Sequence, residues 1–537
     1  MRETVIYRVP PGSRVDTPLC RLALDVAALT GARRYGLAFL LGIAAAAAMP
    51  PIDMTPLLAV AFPGLLWLDD GSASEGASFR LGWVFGFGFF LAGLYWIAAA
   101  LFVDIARFWW LVPFAAAGLP AGFAIYIGLA LLITGTLTRR LRLPPASRVI
   151  TFAIVWSAAE WARGHLFTGL PWNLVGYAWS GGFPGSLAVL QSTAVFGIYG
   201  LSFLTVVAVS LLTLLGSPRP WPMSAVRRWG PAIAAGLLIL VPAGGGLVRL
   251  LTTPTVLTDT RLRLVQPSIP ETLKWQPAAA NGNFQRLINL SAAPARDKLN
   301  AILWPEAATP YLLGRDRPAR AAIASVAPKG GYVITGALRT NPLPGPIENF
   351  WNSIEALNDN GDIVARYDKA HLVPFGEYVP LRGLLPIDKI TPGMADLSAG
   401  PGPRTIALSG LPRFAPLVCY EAIFPGAIID KGDRPDWMLN VTNDAWYGRS
   451  SGPYQHFAIA RTRAVEEGLP LIRVANNGIS AVVDPMGRVL ARTHLDAIGY
   501  VDSALPQALP LTPYGQAGNW MLLGLLAIAA VPVALRL

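Results

Sequence analysis

The first 250 positions carry long apolar runs at about 34–50, 53–69, 81–103, 108–137, 149–166, 188–216 and 229–250, and a last run falls at about 517–535. A helix needs about 20 residues to cross the hydrocarbon core of a bilayer. The runs therefore predict about eight transmembrane helices. The first two are short and separated by Pro50 and Pro51, as in a broken helical hairpin. The run 108–137 contains Pro113 and Pro120 and is expected to kink or tilt. The glycines of "GWVFGFGFFLAG" suit close helix packing rather than phosphate binding.

After residue 250 the period changes. "RLRLVQPSI" (261–269), "AILWPEAA" (301–308), "YVITGAL" (332–338), "FWNSIEAL" (350–357), "IVARYDK" (363–369), "FAPLVCYEA" (414–422), "WMLNVTND" (437–444) and "PLIRVANN" (470–477) read as strands. Helical patterns fall near 281–298, 316–327 and 453–468. Strands alternating with helices over this length predict one α/β domain with a buried sheet. The expected division is an N-terminal segment 1–33, a membrane domain 34–250 with about seven helices, an α/β domain 251–510, and a C-terminal transmembrane helix 511–537. No internal repeat is evident.

Composition agrees with a membrane protein. Charged residues are 14% and hydrophobic residues 53% of the 537, against about 25% charged in a typical soluble protein. Disorder, a coiled coil and an ordinary cytosolic enzyme are excluded. The net charge of +11 resembles a nucleic-acid signal, but its arginines flank apolar runs: Arg33 and Arg34, then Arg139, Arg140, Arg142 and Arg148, then Arg219, Arg227 and Arg228. Arginine-rich loops face the cytoplasm. Both termini are then cytoplasmic, residues 251–510 lie outside, and no nucleic-acid partner is expected. Residues 1–30 do not read as a cleaved signal peptide.

The two cysteines, Cys20 and Cys419, exclude a disulfide framework and a four-thiolate site. On this topology they lie on opposite sides of the membrane, which leaves Cys419 a free thiol in an oxidising compartment. His165, His371, His456 and His494 show no metal-ligand spacing, and no metal or cofactor is expected.

Cys419 ends the apolar strand "APLVC" before a turn, a position where backbone N–H groups can hold an oxyanion. Glu306 follows a strand in "LWPEAATP". Lys369 lies in "RYDKAHLVPFGEYVP", a stretch dense in Pro, Gly and aromatics, with Glu377 eight residues on. Asp444 reads as a turn residue, and Glu160 with Arg163 as a local ion pair at a span end.

Taken together, Glu306, Lys369 and Cys419 resemble the Glu-Lys-Cys triad of the nitrilase superfamily, whose domain is an α-β-β-α sandwich. The flanks "LVQPSIPETLKW", "WPEAATP", "YDKAHLVPFGEYVP", "VCYEAIFP" and "VTNDAWYG" are similar to one branch, the bacterial apolipoprotein N-acyltransferases. So are "TGLPWNLVGY" (168–177) and "TPYGQAGNW" (512–520). The resemblance implies a multi-span inner-membrane enzyme with its catalytic domain on the periplasmic side. It implies transfer of an acyl chain from a phospholipid to the N-terminal amine of a diacylglyceryl-cysteine apolipoprotein, through a cysteine thioester. Cys419 is then the nucleophile and Glu306 the general base. Lys369 stabilises the oxyanion with the Tyr420 N–H, and holds the thiolate and the carboxylate ionised. Glu377 orients Lys369 or the amine. Tyr420 and Glu421 shape the pocket, Trp275 lines an acyl path, and Gly169 and Trp172 carry the membrane-loop motif.

The residues leave two other readings open. One is a membrane-anchored nitrilase-type amidase hydrolysing C–N bonds through the same triad. The other is a non-enzymatic lipid-binding or transport module. A leucine-rich loop, 381–397, is expected to move and to meet membrane lipids.

Overall fold

The computed structural model describes residues 13–14, 17–220, 225–341, 346–383, 389–390 and 395–535. The chain divides into two compact units. One comprises Met1–Ala98, Trp110–Thr252 and Gln516–Leu537, and the other Ala99–Trp109 with Thr253–Gly515.

The first unit is helical, and each apolar run coincides with a helix: Gly31–Ala46, Leu58–Asp70, Glu75–Leu94, Leu119–Leu141, Pro145–His165, Thr193–Leu211, Ala225–Thr252 and Trp520–Ala534. Among the described residues, four stretches are long and apolar enough to cross a membrane: Glu75–Leu111, Phe114–Leu141, Thr193–Gly216 and Arg228–Thr252. Pro18–Ala27 and Gly31–Ala46, bent by 117°, make a fifth if the pair counts as one span. Leu58–Asp70 and Trp520–Ala534 have 13 and 15 residues, and Pro145–His165 carries Arg148, Glu160 and Arg163. The prolines of the long run act locally, with a π-turn at Phe114–Gly118 before the regular helix begins.

Small residues let these helices approach. A Cβ on Gly42 would lie 2.1 Å from Phe85 O, one on Gly88 2.3 Å from Phe39 O, and one on Gly82 2.7 Å from Ile127 O. Any larger residue would push the backbones apart. Two arginines are buried instead of lying in loops. Arg34 sits inside Gly31–Ala46 and donates to Gly71 O (2.8 Å), Leu68 O (2.7 Å) and Ser72 Oγ (2.6 Å). Arg163 donates to Leu170 O (2.6 Å) and lies over the Phe90 ring. Glu160 accepts from Val175 N–H (2.9 Å) and from the Ser202 hydroxyl. Both side chains thus tie the end of Pro145–His165 to the chain that follows it, at Leu170 and Val175, and Glu160 also reaches Ser202.

The second unit is a sandwich of two six-stranded sheets. Its strands are β1 (Leu257–Gln266), β2 (Ala301–Leu303), β3 (Tyr332–Thr340), β4 (Phe350–Asn358), β5 (Ile363–Asp368), β6 (Ile406–Leu408), β7 (Leu411–Val418), β8 (Trp437–Thr442), β9 (Leu471–Ala475), β10 (Ala481–Val483), β11 (Val489–Arg492) and β12 (Gly499–Pro506). One sheet runs β12-β1-β2-β3-β4-β5 and the other β11-β10-β9-β8-β7-β6. In each, three inner strands pair in parallel and the outer pairings are antiparallel.

Alternation along the strands builds the layers. Leu262, Leu264, Leu303, Ile334, Phe414, Val418, Leu439 and Ile472 meet between the sheets. The intervening Val265, Ile302 and Val333 face outward and pack against Phe284, Leu287 and Ile323 of helices Pro277–Ser291 and Arg317–Ala324. Leu417, Met438 and Leu471 pack against Phe457, Ala460 and Ala464 of helix Gly452–Glu467. The result is the α-β-β-α order expected from the resemblance. β6, β10, β11 and β12 lie outside the segments read as strands; three of them have four residues or fewer.

Candidate active site

All three triad candidates follow the carboxyl ends of strands in the sandwich. Glu306 comes three residues after β2, Lys369 directly after β5 and Cys419 directly after β7. This is where open sheets place ligands. Each position depends on a local device.

Glu306 is buried, and the chain beside it runs against Gly336 of β3. Ala308 N–H donates to Gly336 O (2.9 Å) and Gly336 N–H to Pro305 O (3.1 Å). A Cβ on Gly336 would lie 2.5 Å from Pro305 O and 2.6 Å from Glu306 Cα, so only glycine admits this approach. Lys274, also buried, donates from Nζ to Glu306 O at 3.1 Å. The side chain is fixed at one oxygen: Asn352 Nδ2 donates to Glu306 Oε1 at 2.7 Å. Oε2 is buried with no hydrogen-bond partner among the described residues, leaving one acceptor open.

Lys369 is 1% exposed. Its Nζ lies 2.9 Å from Glu377 Oε2 and 3.8 Å from Glu306 Oε1. Asn352 Nδ2 also donates to Glu377 Oε1 (2.9 Å), and Val373 N–H to Glu377 Oε2 (2.8 Å). Burial works against the ammonium, but Glu377 and Glu306 outweigh it and hold Lys369 above the ordinary lysine range.

Cys419 adopts φ +50°, a left-handed conformation that costs a non-glycine residue on the order of 1–3 kcal/mol. It opens a single 3-10 turn, Cys419–Ile423. Thr442 hydrogen-bonds its thiol. Burial pushes the thiol up to about 12, the Glu306 carboxylate adding to the rise and Lys369 opposing it. Burial likewise raises the Glu306 carboxyl above the usual range, against Lys369. The expectation that Lys369 keeps the thiol ionised is corrected here: desolvation and the Glu306 carboxylate disfavour the thiolate more than one cation favours it. Cys419 therefore rests as a thiol next to a carboxyl of raised proton affinity.

Glu421 joins the last two devices. Its Oε1 accepts from Tyr367 OH (2.7 Å), Ala370 N–H (2.7 Å) and His371 N–H (3.2 Å), and its Oε2 from Val418 N–H (2.7 Å). One carboxylate therefore binds the lysine loop to the nucleophile turn. Tyr420 packs against Phe424 and His371, with ring centroids 5.1 and 5.6 Å away. Trp275 donates from Nε1 to Glu271 Oε1 (3.1 Å), and Glu271 Oε2 accepts from Asn443 Nδ2 (2.6 Å). Trp275 thus stands next to Lys274 at the edge of the site.

Gly169 and Trp172 belong to the helical unit. Gly169 has φ +73°, and a Cβ there would lie 2.3 Å from Gly164 O. Trp172 is buried with its ring centroid 4.8 Å from that of Trp96. Of loop 381–397, residues 384–388 and 391–394 lie outside the described residues. Among the described residues, no group of three His, Cys, Asp or Glu side chains could hold a metal ion.

Asn352 and Lys274 were not singled out from the sequence. Asn352 had one signal, a lone amide inside an apolar alternating strand. Asp444 does begin a short turn, Asp444–Tyr447, but its carboxylate is fully buried. It accepts from Arg473 Nη2 (2.9 Å) and lies 2.8 Å from His456 Nδ1.

Comparison with known proteins matches both units. Residues 261–509 match the carbon-nitrogen hydrolase family, and residues 41–211 match the apolipoprotein N-acyltransferase N-terminal domain. The apolipoprotein N-acyltransferase of Rhodopseudomonas palustris is 40% identical over 536 residues, covering 96% of this chain and 98% of that protein. The one from Brucella melitensis is 40% identical over 542 residues, covering 97% and 98%. Among solved structures, an amidase of the nitrilase superfamily from Nesterenkonia AN1 aligns with a TM-score of 0.37 and 19% identity, covering 51% of this chain and 98% of that one. With the N-terminal match, the hydrolase match and this identity over nearly its whole length, the chain belongs to the apolipoprotein N-acyltransferase family.

Proposed function

We propose that the protein moves an acyl chain from a phospholipid to the N-terminal amine of a diacylglyceryl-cysteine apolipoprotein, with Cys419 carrying the chain as a thioester. The observation that carries this reading is the buried convergence of Glu306, Lys369 and Glu377 around a thiol on a left-handed turn, in a chain of this family.

Glu306 Oε2 takes the thiol proton as Sγ attacks the ester carbonyl. A base with raised proton affinity suits a thiol that is itself hard to ionise. Lys369 and the Tyr420 N–H stabilise the oxyanion. When the tetrahedral adduct collapses, the ester C–O bond breaks and Glu306 returns the proton to the leaving lysophospholipid oxygen. In the second half, the amine attacks the thioester and forms the amide C–N bond, Glu306 accepts the amine proton, and as the C–S bond breaks Glu306 passes that proton to the leaving Cys419 sulfur. Glu377 and Asn352 hold Lys369 and Glu306 in register throughout.

The same reading places the enzyme in the bacterial inner membrane with about eight spans and the sandwich on the periplasmic side. The supporting features are the helix at each apolar run and the arginines Arg139, Arg140 and Arg142 at the end of Leu119–Leu141. Gly169, Trp172, Trp275 and the loop 381–397 serve lipid access.

The test is mass spectrometry of the full-length protein in detergent after incubation with a phospholipid. A hydroxylamine-sensitive acyl adduct on Cys419, discharged by a diacylglyceryl-cysteine peptide, is expected. Rapid discharge by water alone, or fast hydrolysis of small amides, would instead favour the amidase.

A further inference from the structure

Behind the nucleophile lies a charged cluster that the mechanism above does not use. Asp444, His456 and Arg473 are all fully buried. Arg473 Nη2 donates to both Asp444 oxygens, at 3.1 and 2.9 Å, and lies 3.0 Å from His456 Nδ1. Its Nη1 donates to Asn440 Oδ1. Thr442 Oγ1 donates to Asp444 Oδ1 (3.2 Å). A Cβ on Gly478 would fall 2.0 Å from Asp444 Oδ2, so a glycine makes room for the carboxylate. Taking three ionisable groups out of water is costly, and they sit one layer from the reacting sulfur.

The cluster ends on one atom of the nucleophile. His456 Nε2 lies 3.3 Å from Cys419 O, and Asn440 Nδ2 lies 3.5 Å from the same oxygen and 3.3 Å from Leu417 O. A carbonyl only accepts, so His456 donates from Nε2. Burial and the neighbouring Arg473 push His456 below the usual imidazole range, against the opposing pull of the Asp444 carboxylate.

Gripping this carbonyl has a geometric effect. The peptide group is planar, and the bond from Cys419 to Tyr420 is trans. The Cys419 C=O and the Tyr420 N–H therefore lie in one plane and point in opposite directions. Fixing the carbonyl on the protein side aims the N–H toward the other.

We propose that His456, anchored by Asp444 and Arg473 and assisted by Asn440, is a positioning residue that aims the Tyr420 N–H at the oxyanion by holding the Cys419 carbonyl. This rests on the reading that Cys419 is acylated with the Tyr420 N–H as an oxyanion donor.

Two probes of the full-length protein in detergent separate aim from reactivity. A p-nitrophenyl ester acylates Cys419 through a tetrahedral oxyanion: an S–C bond forms, the C–O bond breaks, p-nitrophenolate leaves with the electron pair and the thiol proton goes to Glu306. Iodoacetamide alkylates the same sulfur at a saturated carbon, displacing iodide without an oxyanion. His456→Ala is expected to slow acylation at least 10-fold and to change alkylation less than twofold. His456→Gln, whose amide can still donate, is expected to recover most of the acylation. Asn440→Ala should show the same split, at least threefold.

Equal losses in both probes, an unchanged acylation rate, or loss of fold in all three variants would overturn the proposal. Ester turnover that persists in Cys419→Ala would instead mark failure of the underlying reading.

Discussion

Lys369 Nζ sits 2.9 Å from Glu377 Oε2, nearer than its 3.8 Å to Glu306 Oε1. The lysine is therefore held mainly by Glu377, and Glu306 Oε2 stays without a hydrogen-bond partner among the described residues. Glu377→Gln preserves shape but removes the charge. It is expected to slow acyl-enzyme formation about 10–100-fold, in line with the loss of one well-placed electrostatic contribution. Glu377→Ala should also lower the melting temperature, since removing one partner of a buried pair costs about 3–5 kcal/mol. Single-turnover acylation and thermal melts check both. A Gln variant as fast as the parent would leave Glu377 with a purely structural role.

The two raised proton affinities predict different pH profiles. Glu306 must be deprotonated to act, and burial raises it from 4.5. Acylation should be lost as pH falls through that raised value, placing the acid limb above pH 4.5. Cys419 holds its proton up to about 12. Direct alkylation by iodoacetamide should be slow at neutral pH and climb toward that value. An alkylation plateau near pH 7 would mean a resting thiolate.

Gly336→Ala tests the seat of the base. The added Cβ would meet three backbone atoms at 2.5–2.7 Å, those of Pro305, Glu306 and Ala307. None can swing aside as a side chain would. The expected result is a loss of about 1–3 kcal/mol in stability, typical of overpacking, with at least a 100-fold lower acylation rate because Glu306 shifts. A variant with the parent's rate would show that the strand and the loop can separate without cost to the site.

Asp444 supplies a stability test with a defined sign. Burial alone would raise its carboxyl, but Arg473 and His456 outweigh it and bring it from 3.8 down to about 2. A depressed value stabilises the fold above the unfolded value and loses that contribution as pH falls through the folded one. At 1.36 kcal/mol per pH unit, the contribution is about 2 kcal/mol. The stability gap between the parent and Asp444→Asn should narrow by about that amount between pH 5 and pH 2. A constant gap would mean that Asp444 is not titrating there.

The layers, and the placing of the three triad candidates at strand ends, were legible in the sequence for a physical reason. Continuous apolar stretches such as 414–418 and 437–442 advertise strands buried on both faces, and Glu306, Lys369 and Cys419 stand where such stretches stop. Short strands such as Ala481–Val483 have too few positions to show a period. Asn352, Lys274 and His456 were hidden because their roles depend on partners 46, 32 and 37 residues away. No local pattern encodes such a meeting. Arg34 misled in a related way: its charge beside an apolar run reads as a loop signal, while its guanidinium closes the end of Leu58–Asp70.

Glu421 has one further consequence. Its four donors come from both sides of the site, Tyr367, Ala370 and His371 on the lysine side and Val418 on the nucleophile side. The two are thereby bolted to a common mount, and a displacement of one is passed to the other instead of opening a gap between them. An enzyme that must admit a bulky lipid and then a peptide can let its rim flex while the spacing of sulfur and ammonium stays constant. Tolerance of large substrates and constancy of the reacting geometry would then be separable properties, and a single acid would be the joint between them.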